Sequence, residues 1–122
     1  MRLLAISVFI GGCVEHPPRR DPVLVAVGSE SVVITRDENI TKDCIYYGSR
    51  TESDGKVDPP NAYQGDIAVI EQKLKNDAAG LGVNVVLLDA SQEYSEIPVG
   101  CAHCEVRQII TGKLFNCLPD DR

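Results

Sequence analysis

Five apolar residues, Ile67, Ile70, Leu74, Ala78 and Leu81, recur at spacings of three, four, four and three. That rhythm draws a single apolar stripe down a helix. Either Asn61, with Gln64 three residues on, or Asp66 supplies the cap at its start. Gly80 and Gly82 supply the stop. Residues 83–88 follow at once and are apolar at every position but Asn84. Such a run reads as a strand buried on both faces. A helix with one stripe needs one apolar surface to lie on, so the pair predicts a sheet packed on one side by one main helix.

The remaining strands are shorter signals. Residues 23–27 form an apolar run and a candidate first strand. Residues 31–35 place Val32 and Ile34 on one face, and residues 44–49 contain the β-rich Cys44-Ile45-Tyr46-Tyr47. Residues 37–43 are a polar connection. Residues 51–60 read as a polar loop, with Asp54-Gly55 and Pro59-Pro60 as turn signals. The last strand region is 105–117, where Gly112 marks a bulge or bend. The order strand-strand-helix-strand-strand with about four strands places the chain in the α+β class.

The chain begins Met1-Arg2, then runs apolar from Leu3 to Ile10 and reaches Gly11-Gly12-Cys13. This stretch of eight residues, apolar but for Ser7, is too short to span a bilayer, which takes about 20, but it matches the hydrophobic region of a secretory signal. Ile10-Gly11-Gly12-Cys13 resembles the bacterial lipobox, in which the cysteine is acylated and becomes the new N-terminus. On this reading residues 1–12 are the signal peptide, 13–22 the lipidated Cys13 and a short tether, and 23–122 one domain. The tether holds Pro17, Pro18 and Pro22 and is extended. Its nine residues after Cys13 reach roughly 30 Å at most, so the domain sits close to its membrane. Val14, rather than Asp, follows the cysteine; resemblance to sorted lipoproteins then implies the periplasmic face of the outer membrane.

Charge narrows the partners. Twelve basic against 18 acidic residues give −6, and loss of residues 1–12 removes Arg2 and takes this to −7. An acidic chain with no Trp and only two Phe and four Tyr is unsuited to a nucleic acid, whose phosphates it repels. Contact with the membrane is through the lipid. Asn39-Ile40-Thr41 fits a glycosylation sequon, which an exported bacterial protein gives no reason to use. No Ser/His/Asp set or phosphate loop is present, and no cofactor is implied. Glu93, Glu96 and Glu105 read as solvated charges.

Four cysteines remain in the mature chain, Cys44, Cys101, Cys104 and Cys117. In an oxidising compartment they read as two disulfides, with three possible connectivities. Cys101-Ala102-His103-Cys104 also has the spacing of a redox centre and resembles disulfide isomerases. A thioredoxin-type pair, however, sits at a helix N-terminus, where the dipole lowers the first thiol's pKa; here Pro98-Val99-Gly100 precedes the motif and a β-rich stretch follows. A metal site built from Cys101, His103 and Cys104, with His16 as fourth ligand, requires the tether to dock. A structural staple, and no enzyme, is the expectation.

Three stretches resemble a family of small bacterial envelope lipoproteins of unknown function, similar in fold to the outer-membrane sensor lipoprotein of the Rcs phosphorelay. Cys44-Ile45-Tyr46-Tyr47-Gly48 is like the family's Cys-x-Tyr-Leu-Gly. Residues 74–86, ending Leu81-Gly82-Val83-Asn84-Val85-Val86, are like its helix ending in Leu-Gly-Ala-Asn-Val-Val. Thr111-Gly112-Lys113-Leu114-Phe115-Asn116-Cys117 is like its closing Thr-Gly-x-Ala-Tyr-x-Cys. The resemblance implies a Cys44–Cys117 disulfide, which leaves Cys101–Cys104 as a local pair. Asn84 is short enough to bond a neighbouring backbone group at the strand entry. The functional expectation is a non-catalytic binding, structural or sensor module whose partner is another envelope protein or a cell-wall component. Thiol–disulfide or metal handling at Cys101–Cys104 is the alternative.

Overall fold

A computed structural model describes residues 23–97, 99–101 and 104–118. Residues 1–22, read above as signal segment, Cys13 and tether, and both histidines, His16 and His103, lie outside the described residues. The elements are β1 (Val33–Thr35), β2 (Ile45–Asp54), α1 (Ile67–Leu81), β3 (Val85–Glu96) and β4 (Arg107–Asn116), with short 3-10 turns at Ser29–Ser31 and Glu38–Thr41. They form one four-stranded sheet in the order β1-β3-β4-β2. β1 runs parallel to β3, while β4 is antiparallel to both its neighbours, β3 and β2. The segment β2-α1-β3 is therefore a split βαβ unit, with β4 inserted between its parallel strands. This is the α+β arrangement expected.

The helix ends are set by local chemistry. Asp66 is the N-cap, its Oδ1 accepting from Ala68 N–H at 2.9 Å. Asn61 takes no part in the cap. Asp66 N–H in turn donates to Oδ2 of the buried Asp54 at 2.8 Å, which ties the helix start to the end of β2. At the other end Gly82 adopts φ 76°. Its N–H donates to Ala79 O and that of Val83 to Ala78 O, the paired bonds of a Schellman stop. A side chain with a Cβ resists that left-handed conformation.

Ile70, Leu74 and Ala78 bury completely against Val86, Leu88, Ile110 and Leu114. The stripe is looser at its ends: Ile67 is 40% exposed and Leu81 is only partly buried. Val85 to Leu88 are all buried. Alternate residues of this run face opposite ways, so Val86 and Leu88 meet α1 while Val85 and Leu87 face away. The link from β1 to β2, with the Glu38–Thr41 turn, lies against β3 and helps cover that second face.

Three expectations need correction. Residues 23–27 are not a strand; Asn76 on α1 holds them instead, accepting from Ala26 N–H and donating to Leu24 O. Residues 51–54, read as loop, continue β2. Their polar alternation hides a strand whose partner, β4, supplies the pairing. Gly112 is neither bulge nor bend, since it pairs in register with both Arg50 and Leu88. It is a close-approach position: a Cβ there would stand 2.6 Å from Val86 Cγ1. The sheet irregularities fall instead between Tyr46 and Gly48 on β2 and between Leu88 and Glu93 on β3.

Gly112→Ala forces a methyl against a stiff, fully buried valine. It is expected to lower unfolding free energy by about 1–3 kcal/mol, read as a shifted urea midpoint with unchanged slope. Pairing Gly112→Ala with Val86→Ala is expected to cost less than the sum of the two separate losses, because the second change removes the clashing atom.

Candidate functional site

One end of the sheet is closed by a disulfide. Cys44 and Cys117 are bonded, with Cα atoms 4.4 Å apart across 73 residues of chain. They extend the β2–β4 register by one pair beyond Ile45 and Asn116. Asn84, at the mouth of β3, grips the second cysteine: its Nδ2 donates to Cys117 O at 2.7 Å and its Oδ1 accepts from Cys117 N–H at 2.8 Å. A primary amide can turn one N–H donor and its acceptor oxygen together towards a backbone unit. Asn84 thus does the work of a ladder pair where the strand has ended.

Beside this staple the sheet face away from α1 is partly open. Val33, Val85, Phe115 and Tyr46 stand in one row across it. Tyr46 and Phe115 rings lie 5.5 Å apart at 59°, a tilted aromatic contact. Val33, Ile40, Ile45, Tyr46 and Tyr47 are each about half exposed or more. A cleft of about 400 Å³ adjoins the row, with Leu87 and Phe115 among its apolar walls and Arg36, Lys113, Glu38 and Asp89 as its charges. Asp89 is held below the usual carboxylate range by hydrogen bonds from the Ser91 backbone and side chain. That Asx turn shapes the irregular stretch of β3 between Leu88 and Glu93. An apolar floor with both signs of charge suits recognition of a mixed polar and apolar surface. The cleft residues described include no nucleophile paired with a base.

Cys101 and Cys104 are bonded to each other near the tip of the β3–β4 hairpin, with Cα atoms 5.7 Å apart. Gly100, at φ 78°, turns the chain into the pair. After Cys104, Glu105 N–H donates to Val57 O, and the chain enters β4 at Arg107. No helix begins in the described residues around the motif, so no helix dipole acts on Cys101 there. Among the described residues no group of three or more His, Cys, Asp and Glu converges as a metal site.

The glutamates are not uniformly solvated. Glu93 has a side chain only 22% exposed and pairs with Arg36, whose guanidinium is held above its ordinary value by that bond. Glu96 pairs with Arg107 at 3.4 Å in the open, and Glu105 is half-buried.

A second group of charges escaped the sequence reading. Glu52 on β2 meets Asp77 on α1, with Lys73 and Arg50 close by. Burial first, then the bond and charge of Asp77, push the Glu52 carboxyl up to about 7 against the pull of Lys73 and Arg50. Asp77 Oδ2 is buried and has no hydrogen-bond partner. Lys73 Nζ donates to Ser53 O at 2.7 Å rather than to either acid. Glu52 fell in a stretch read as loop, so no periodicity placed it opposite a helix.

No protein-family model matches this chain, and no curated protein matches it in sequence.

A carboxyl raised in the folded chain stabilises the fold when protonated. That share is full below about 4.5, the ordinary value, and is lost as the pH rises through about 7. Because Glu52 is only partly buried, screening reduces the effect to roughly 1 kcal/mol. Urea midpoints of dilute protein at pH 5 and pH 8 are expected to fall by this amount in wild type, and the drop is expected to shrink in Glu52→Gln.

Proposed function

We propose that this chain is a lipid-anchored protein of the bacterial cell envelope, held on the periplasmic face of the outer membrane. Its domain works as a non-catalytic binding or structural module. One observation carries the reading. A bond between Cys44 and Cys117, closing 73 residues, belongs to a compartment that oxidises thiols. The chain bears an export and acylation sequence, Ile10-Gly11-Gly12-Cys13, that would deliver it to such a place. The family its three motifs resemble consists of envelope lipoproteins, which agrees with both.

The open sheet face with its aromatic pair and mixed-charge cleft is the surface for a partner, either another envelope protein or a cell-wall component. The lipid supplies the anchor: two or more acyl chains, each buried CH₂ contributing about 0.8 kcal/mol, hold a protein stably where one chain does not. Cys101–Cys104 acts in this reading as a hairpin staple. Its place before a strand rather than a helix start weighs against thiol–disulfide exchange.

Metabolic labelling with a fatty-acid probe is expected to mark the wild type and leave Cys13→Ala unlabelled; equal label in both would sink the proposal. Loss of the long disulfide in Cys44→Ser or Cys117→Ser is expected to lower stability by about 2–5 kcal/mol. Urea unfolding under non-reducing conditions measures that loss.

A further inference from the structure

Ahead of the first strand, three large apolar side chains stand in the open. Leu24 is 82% exposed, Val25 67% and Val27 99%. They fall within residues 22–29, eight positions without a charge in a chain that is 25% charged. Single apolar residues on a surface need no explanation, but a cluster marks a contact. Val27 stands at the tip of a tight turn, closed by Ser29 N–H donating to Ala26 O at 3.1 Å with Gly28 at φ 91°. Polar residues and proline ordinarily dominate such turns. We propose that Leu24, Val25 and Val27 rest in the lipid surface beside the Cys13 anchor, so that the domain itself touches the membrane. This rests on the lipid-anchored reading above and adds an orientation to it.

These side chains are held out from the core. Asn76 accepts from Ala26 N–H and donates to Leu24 O. Gln72 donates to Asn76 Oδ1 and to Oγ of the fully buried Ser29. The backbone on both sides of Val25 is thereby tied to α1, and the apolar groups cannot fold inward without breaking those bonds. A surface fixed in advance loses little freedom when it makes contact.

Size and chain length select lipid as the partner. A stable protein interface takes about 800 Å² and some 20 residues from each side, and three residues fall far short of that. Nine residues, 14–22, separate the segment from Cys13 and span at most roughly 30 Å. Tethered so closely, the segment meets the bilayer as an intramolecular event, and a weak contact becomes effective. Arg19 and Arg20 balance Glu15 and Asp21 within the tether, so the repulsion that an acidic domain feels from anionic head groups is least here. The segment lies beside α1, whereas the Tyr46–Phe115 row is on the other sheet face. Lipid contact at the first leaves the second open to a partner.

Fluorescence in vesicles tests the proposal. The protein, made from its full sequence in a bacterial host and purified from the envelope, is placed in vesicles of phosphatidylethanolamine and phosphatidylglycerol containing a spin-labelled phospholipid. With Cys13 acylated and the other cysteines bonded, wild type takes up no thiol fluorophore, while Val25→Cys, Val27→Cys and Val99→Cys take up one each. Val99 is the control, apolar and fully exposed beyond the far end of β3. Labels at 25 and 27 are expected to be quenched several-fold more than the label at 99. Adding Leu24→Glu and Val27→Glu to Val25→Cys is expected to lower its quenching several-fold, although the tether is unchanged. Equal quenching at 27 and 99, or quenching at 25 indifferent to the two glutamates, would overturn the proposal and leave the anchor intact. A label at 27 that is shielded from water yet not quenched by lipid marks a protein in that place and overturns it as well. Fluorophore uptake by wild type reveals a free Cys13 thiol, and the anchored reading then fails together with the proposal.

Discussion

Leu74, wholly buried in the middle of α1, reaches the sheet over Gly112, where a Cβ would stand 3.4 Å from its Cδ1 and 2.6 Å from Val86. Leu74 is in ordinary van der Waals range of that point, and the tight contact is with Val86 of the neighbouring strand. Ile70 and Ala78 on either side of Leu74 also reach the sheet, and Leu88, Ile110 and Leu114 close around them. A protein interior packs as densely as an organic crystal, so a helix raised by one methyl would lose contact along its whole stripe. The chain has few aromatic residues with which to fill such a gap.

Helix placement then fixes the polar features around it. Asp54, at the end of β2, can meet the Asp66 amide only because the helix starts directly over that strand end. Gln72 and Asn76 line one flank of α1 and hold Ser29, Leu24 and Ala26. Lys73 and Asp77 line the other flank and reach the outer strand. One helix therefore grips the incoming chain on one side and lends charge to a sheet edge on the other. At the far end of β4, Asn84 and the Cys44–Cys117 bond join three elements that the apolar core does not reach.

These placements separate the surface into parts with different chemistry. The staple end carries exposed aromatic and aliphatic side chains beside a mixed-charge cleft. The β2 edge carries a carboxyl poised near neutrality. The hairpin tip holds a disulfide between cysteines three positions apart, which limits the freedom of the turn. Each is positioned by strands rather than by long loops, which favours recognition by a preformed surface.

By itself the sequence determined the helix from its spacing, its stop at Gly82, the buried strand that follows, and the class of fold. All of these rest on interactions within a few residues, or on burial so complete that every side chain must be apolar. Only the tertiary structure decided where the polar strands run. Residues 51–54 and 89–96 become strands because β4 lies between them, and a strand half in solvent leaves no apolar run to read. The role of Gly112 was likewise invisible. A glycine required by a bend and one required by a neighbour's side chain look the same until the neighbour, Val86, is in place. Glu52 and Asp77 lie 25 positions apart in an otherwise ordinary distribution of charge, and only folding, by laying a helix flank beside an edge strand, brought them together and raised the Glu52 carboxyl to about 7.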